Sequence, residues 1–190
     1  MSSFQKLISI ICAAILTIVT LYVGATYATT NYVPGTTVGR TYENSFMDVR
    51  IDLPDNYYFP SSVSVPKEVE LFAISPDGMC NIGVVTDEIF PLASIKSCMP
   101  TIQKEIAEQA FNTYQITYTL SDATFRYLAG QQYYFMRGDT TYKGVHLNQD
   151  IYLRKIGSRC CAIVITYSPS TYQSTGERDA LIKCISSYKK

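Results

Sequence analysis

Ala162-Ile163-Val164-Ile165 is apolar at four successive positions, and this stretch restricts the fold more than any other part of the chain. Gly157-Ser158 and Ser168-Pro169-Ser170 bound it, which predicts a strand from Cys160 to Tyr167. Successive side chains of a strand point to opposite faces, so one that is apolar at every position is covered on both. A sheet with such a strand at its centre needs a layer on each side.

The other elements read as strands, a helix, more strands and a closing helix. Met47, Val49, Ile51 and Leu53 alternate with Asp48, Arg50 and Asp52, the period of a half-buried strand. Leu53-Pro54-Asp55-Asn56 ends it, and Tyr57, Tyr58 and Phe59 follow as an aromatic plug. Val69-Leu71-Ala73 and Cys80-Ile82-Val84 form a hairpin around Ser75-Pro76-Asp77-Gly78, where Pro fixes φ and Gly supplies a positive one. Ile95, Met99, Ile102, Ile106 and Ala110 recur at helical spacing over Ser94–Asn112, with Ser94 as N-cap and Pro100 kinking the first turns or delaying the start. Alternation resumes from Tyr114 to Leu120. Strands at Gln131–Arg137 and Val145–Lys155 are joined by a polar connection, Gly138–Gly144. A last helix over Gln173–Tyr188 presents Leu181, Ile185 and Tyr188 on one stripe.

The N-terminus carries an address. Lys6 precedes an uncharged, predominantly apolar run of 17 residues, Leu7–Val23, followed by Gly24-Ala25-Thr26-Tyr27-Ala28. A basic start, an apolar middle and a small-residue exit predict a signal peptide or an N-terminal membrane anchor over residues 1–28. Residues 29–39 read as a Thr/Pro/Gly linker, and 40–190 as a single domain. The expected location is extracytoplasmic, either secreted or anchored by the N-terminal segment. Beyond the leader the chain holds 15 basic and 16 acidic side chains, a balance that excludes nucleic acid as an expected partner. The membrane is expected to be engaged only through the N-terminal segment.

Cys80, Cys98, Cys160, Cys161 and Cys184 are disulfide candidates whose pairing the sequence leaves open; their number is odd, and none has C-x-x-C spacing. Cys160 and Cys161 are neighbours in a strand and point to opposite faces, which argues against a bond between them.

The segment Thr41-Tyr42-Glu43-Asn44-Ser45-Phe46, followed by a strand closing in Leu53-Pro54-Asp55-Asn56-Tyr57-Tyr58-Phe59, resembles the opening of PsbP-like/Mog1-like domains. Many members carry Trp after the strand-ending Pro, where this chain has Tyr57-Tyr58. Asn81–Val85, the helix after Ser94, Ala129–Tyr134, Gln149–Lys155 and Ile163–Thr166 match later elements by position, so the resemblance runs from Arg40 to the C-terminus. It implies an α+β fold: an antiparallel β-sheet of about six to eight strands flanked by helices, an α/β/α sandwich. It also implies an exported bacterial member of the family, acting by binding other macromolecules, with no catalytic residue to carry over.

Few residues promise chemistry. His146 is the only histidine, which excludes a multi-His metal site within one chain. Asp48 and Asp52 share a face of the alternating strand, and Asp87-Glu88 are neighbours, so a carboxylate-dependent hydrolase stands as one alternative. No Gly-rich phosphate loop or G-x-S-x-G elbow is present, and no cofactor is expected. The leading expectation is a non-catalytic interaction module for an unknown protein partner at the cell envelope. Tyr57, Tyr58, Tyr133, Tyr134 and Tyr142 are its candidate interface aromatics, since tyrosine combines apolar area with a hydroxyl. A pocket for a small apolar ligand is the other alternative.

Overall fold

A computed structural model of the chain describes residues 32–60, 68–88, 94–142, 144–170 and 172–189. The leader, residues 1–28, lies outside the described residues, among which no helix is long and apolar enough to cross a membrane. The strands are β1 (Thr36–Val38), β2 (Thr41–Asn44), β3 (Val49–Asp52), β4 (Val69–Ile74), β5 (Cys80–Glu88), β6 (Tyr118–Leu120), β7 (Thr124–Leu128), β8 (Gln131–Tyr142), β9 (Val145–Ile156), β10 (Arg159–Tyr167) and β11 (Ile185–Ser186). Helix α1 covers Ile95–Tyr114 and α2 covers Tyr172–Cys184.

Seven strands form one antiparallel sheet in the order β4-β5-β10-β9-β8-β6, with β7 also paired to β8; β1-β2-β3-β11 form a second sheet of four. β10 is central, as its apolar run predicts, with Ile163 between Val84 of β5 and Tyr152 of β9. Its odd positions, Cys161, Ile163 and Ile165, pack with Val49 and Ile51 of the small sheet, Met47 in the turn before β3 and Leu181 of α2. Its even positions, Cys160, Ala162 and Val164, pack with Ile95, Met99 and Ile106 of α1. The expected antiparallel sheet flanked by helices is present; the small sheet, which joins α2 in covering one face, is the addition.

Several segments differ from the sequence reading for identifiable reasons. Thr36–Val38, within the expected linker, pairs with β2 after a turn at Gly39, whose φ is 61°. Asp48 lies in a turn at φ 54° and not in the strand. Gln115, left-handed at φ 55°, ends α1 with its N–H on the carbonyls of Ala110 and Phe111, so of the stretch read as a strand from Tyr114 only Tyr118–Leu120 is one. β8 runs through Gly138 to Tyr142 where a polar connection was expected, because these residues pair with β9 and, from Gly138 to Thr140, with β6; the Tyr118 ring occupies the space a Cβ at 138 would fill. α2 stops at Cys184 and not Tyr188, since Ile185 pairs with Ile51. α1 accommodates Pro100 without a later start, capped by Ser94 Oγ accepting from the N–H of Ser97 at 3.1 Å.

Candidate functional site

The β7–β8 hairpin turns at Ala129 and Gly130, both at positive φ, and leaves β7 on the outside of the sheet. Among the described residues no strand pairs with the outer edge of β7. Alternation along these strands sends Gln132 and Tyr134 of β8, and Leu153 and Lys155 of β9, to the α1 face. There a groove of about 520 Å³ opens between them, Phe125 of β7, and Ser94 and Ile95 at the start of α1. The Phe125 and Tyr134 rings meet at 4.6 Å and 44°. Phe125 remains 58% and Tyr127 74% exposed. Such a surface combines planar apolar area, a small number of polar groups and an open backbone edge, the requirements for holding an amphipathic or extended ligand.

The opposite face, covered by the small sheet and α2, also carries polar clusters. Asp150 of β9 is fully buried and accepts from Arg137 Nε at 2.8 Å and Arg178 Nε at 2.8 Å. Burial opposes the charge of Arg178, but hydrogen bonds to Asp150 and Asp179 hold its guanidinium more firmly protonated than usual. The Arg126 guanidinium covers the Phe135 ring at 3.7 Å. Glu70 accepts from Gly35 N–H (2.6 Å), Tyr42 Oη (2.7 Å), Asn44 Nδ2 (2.9 Å) and Thr86 Oγ1. Asp48 accepts from Gln131 Nε2, Ser187 Oγ and Lys189 N–H, each at 2.9 Å.

These contacts engage the carboxylates singled out in the sequence. Asp52 accepts from Thr41 Oγ1 and Arg50, the latter bond chief in holding its carboxyl below the usual range. Asp48 and Asp52 thus belong to different clusters and do not form the pair that strand alternation suggested. The side chains of Asp87 and Glu88 lie outside the described residues. His146 faces Asp139 at 2.5 Å on a partly exposed rim. Among the described residues no three His, Cys, Asp or Glu side chains are grouped as a metal would require.

The candidate aromatics separate. Tyr57 and Tyr133 are core residues, and burial pushes the Tyr133 phenol up to about 12. Tyr58 is half-buried, its backbone bridging Ile74. Tyr134 lines the groove. Phe125 and Tyr127 were missed, although Thr124-Phe125-Arg126-Tyr127-Leu128 before Gly130 carries both an alternation and a turn signal. Cys80, Cys160, Cys161 and Cys184 are thiols, the first three buried and Cys184 half-buried. The side chains of Cys98 and Tyr142 lie outside the described residues.

No family model matches the chain, and no curated protein matches its sequence. Among solved structures, the fold is similar to that of cyanobacterial PsbP (CyanoP) from Synechocystis sp. PCC 6803, with a TM-score of 0.56 and 11% identity over 87% of this chain and 99% of that one. LpqN, described as involved in cell envelope biogenesis of Mycobacterium tuberculosis, aligns at a TM-score of 0.40 with 10% identity over 73% of this chain and 82% of its own. A Bacteroides thetaiotaomicron VPI-5482 protein aligns at 0.46 with 10% identity, over 80% of this chain and 49% of that one. The chain has a PsbP-like α+β fold.

Proposed function

We propose that the chain is an exported binding module without catalytic chemistry of its own, and that a protein partner at the cell envelope docks in the groove between α1 and the β7–β8 hairpin. One observation carries this reading: the Phe125–Tyr134 pair stands in an open groove beside a strand edge that is unpaired among the described residues. Exposed aromatics are costly to leave in water and are enriched where partners bind. An extended segment of the partner would add to β7 through main-chain hydrogen bonds and set a side chain against the Phe125–Tyr134 pair. The apolar run Leu7–Val23 supports the exported location.

A photo-cross-linking residue placed at Gln132, in the groove, and separately at Glu108, on an exposed turn of α1, tests this in intact cells. One abundant adduct from position 132 and none from 108 is expected. Equal adducts from both, or none from 132 while a known control pair is caught, would overturn it. A small apolar ligand is the second reading, favoured by the groove volume of about 520 Å³, which lies within the small-molecule range. Native mass spectrometry of protein purified from its host would reveal that ligand as a discrete added mass.

A further inference from the structure

Tyr32 is pinned where the N-terminal segment meets the domain. Its hydroxyl lies 2.6 Å from Thr86 Oγ1, the Arg159 guanidinium stacks on its ring at 3.8 Å, and Phe46 meets the ring edge-on at 5.1 Å. Two residues after Phe46, Asp48 ties down Gln131, Ser187 and Lys189. The exit toward the leader, the β9–β10 turn beside Arg159, the β7–β8 turn and the C-terminal residues therefore share one end of the molecule.

Three of the exposed apolar side chains stand at that end. Val33, Tyr127 and Tyr188 are there, accompanied by the exposed Lys96 and Lys189. Val38, beside the Gly39 turn, and Phe59, beside the Tyr58–Ile74 bridge, are exposed elsewhere, as is Phe111 in the last turn of α1, about 25 Å along the helix from Ser94. Aromatic rings and lysines together suit the lipid–water boundary, where a ring buries its body and a lysine stem reaches up to phosphate. The tether is short. Eight residues separate Val23 from Tyr32, so an anchored leader holds this end within about 30 Å of the bilayer.

We infer that the tether end of the domain is a membrane-docking face: with the leader seated in a bilayer, Val33, Tyr127 and Tyr188 enter the interface, and Lys96 and Lys189 meet anionic head groups. This goes beyond the groove reading and rests on the leader being retained in the chain tested. The absence of tryptophan from the sequence makes each introduced Trp a unique reporter. Full-length Tyr127→Trp, Tyr188→Trp and Phe111→Trp chains, their intact leaders verified by mass, are reconstituted in vesicles. The vesicles are phosphatidylcholine alone or mixed equally with phosphatidylglycerol, with and without brominated acyl chains. Quenching several-fold stronger at 127 and 188 than at 111 is expected, greatest in the anionic vesicles. Equal quenching at all three positions, or none at 127 and 188, overturns the inference. Shielding of 127 from aqueous acrylamide without quenching by brominated lipid also overturns it, and identifies a second copy of the chain as the cover. No partner protein is present, so failure here leaves the groove reading to its own test.

Discussion

The Tyr42 hydroxyl donates to Glu70 Oε2 across 2.7 Å and joins the two sheets at one carboxylate. Glu70 reaches that position because β4 is irregular there: Val69 pairs with Val85 and Leu71 with Val84, so Glu70 is the extra residue of a bulge. A bulge re-aims a side chain that regular pleating would send elsewhere. Gly35 completes the cluster, and only glycine fits, since a Cβ would fall 2.4 Å from the Tyr42 hydroxyl.

Glu70→Gln exchanges a carboxylate that accepts four hydrogen bonds for an amide with half the acceptor capacity. It is expected to cost about 1–3 kcal/mol in urea unfolding. Tyr42→Phe should cost about 1 kcal/mol alone and little more in the Glu70→Gln background. Full additivity of the two would show that the contact contributes nothing.

Asp150→Asn leaves Arg137 and Arg178 facing a buried neutral amide. A loss of about 3–5 kcal/mol is expected, read as a lower denaturation midpoint with an unchanged slope. Replacing all three by Leu and Met should recover most of that loss, because removing the whole cluster also removes its desolvation penalty. A triple variant as unstable as Asp150→Asn would contradict this.

Asp48 gives the protein an acid-sensitive contact. Burial, the largest single influence, raises its carboxyl, but the donors Lys189 N–H, Ser187 and Gln131, with the Lys189 charge, together lower it below the ordinary value. A group whose folded value lies below its unfolded one adds stability above about pH 4, and loses it as pH falls through the folded value. Asp48→Asn, which also tolerates the left-handed backbone, should be less stable than the native chain at pH 7. The gap should close on acidification below about pH 4. A gap that stays constant from pH 7 to pH 2 would remove the carboxylate from the account.

Thiol reactivity should follow burial. Burial raises the Cys161 thiol far above its ordinary range, with the neighbouring Cys160 adding to the effect. Burial also raises Cys184, which is only half covered. Among Cys80, Cys160, Cys161 and Cys184, native alkylation followed by mass mapping should find Cys184 modified first and Cys161 last. Early labelling of Cys161 would show that β10 opens locally.

Gly138→Ala is expected to destabilise the chain by about 1–3 kcal/mol, the cost of overpacking. The new Cβ would lie 1.7 Å from the Tyr118 hydroxyl, which donates to Gln149 Oε1 at 2.6 Å inside the core. Combining it with Tyr118→Phe should relieve part of the clash, and thermal melting of both variants checks this.

Local physics made much of this architecture legible. The double-faced apolar run at Ala162–Ile165 requires cover on both sides, and the period of Ile95, Met99 and Ile106 supplies a helix for one of them. Ser75–Gly78 encodes its own turn, since its Pro fixes φ and its Gly admits the positive φ of 74° at position 78. Residue type alone did not separate the half-buried Tyr134 of the groove from the core residues Tyr57 and Tyr133. Tertiary packing decided which tyrosines are buried, which edge β7 leaves open, that Ile185 leaves a helix to pair with Ile51, and that Asp48, Asp52 and Glu70 belong to three separate clusters. Periodicity assigns a side chain to a face; what lies opposite that face depends on segments more than a hundred residues away in sequence, and no local pattern carries that information.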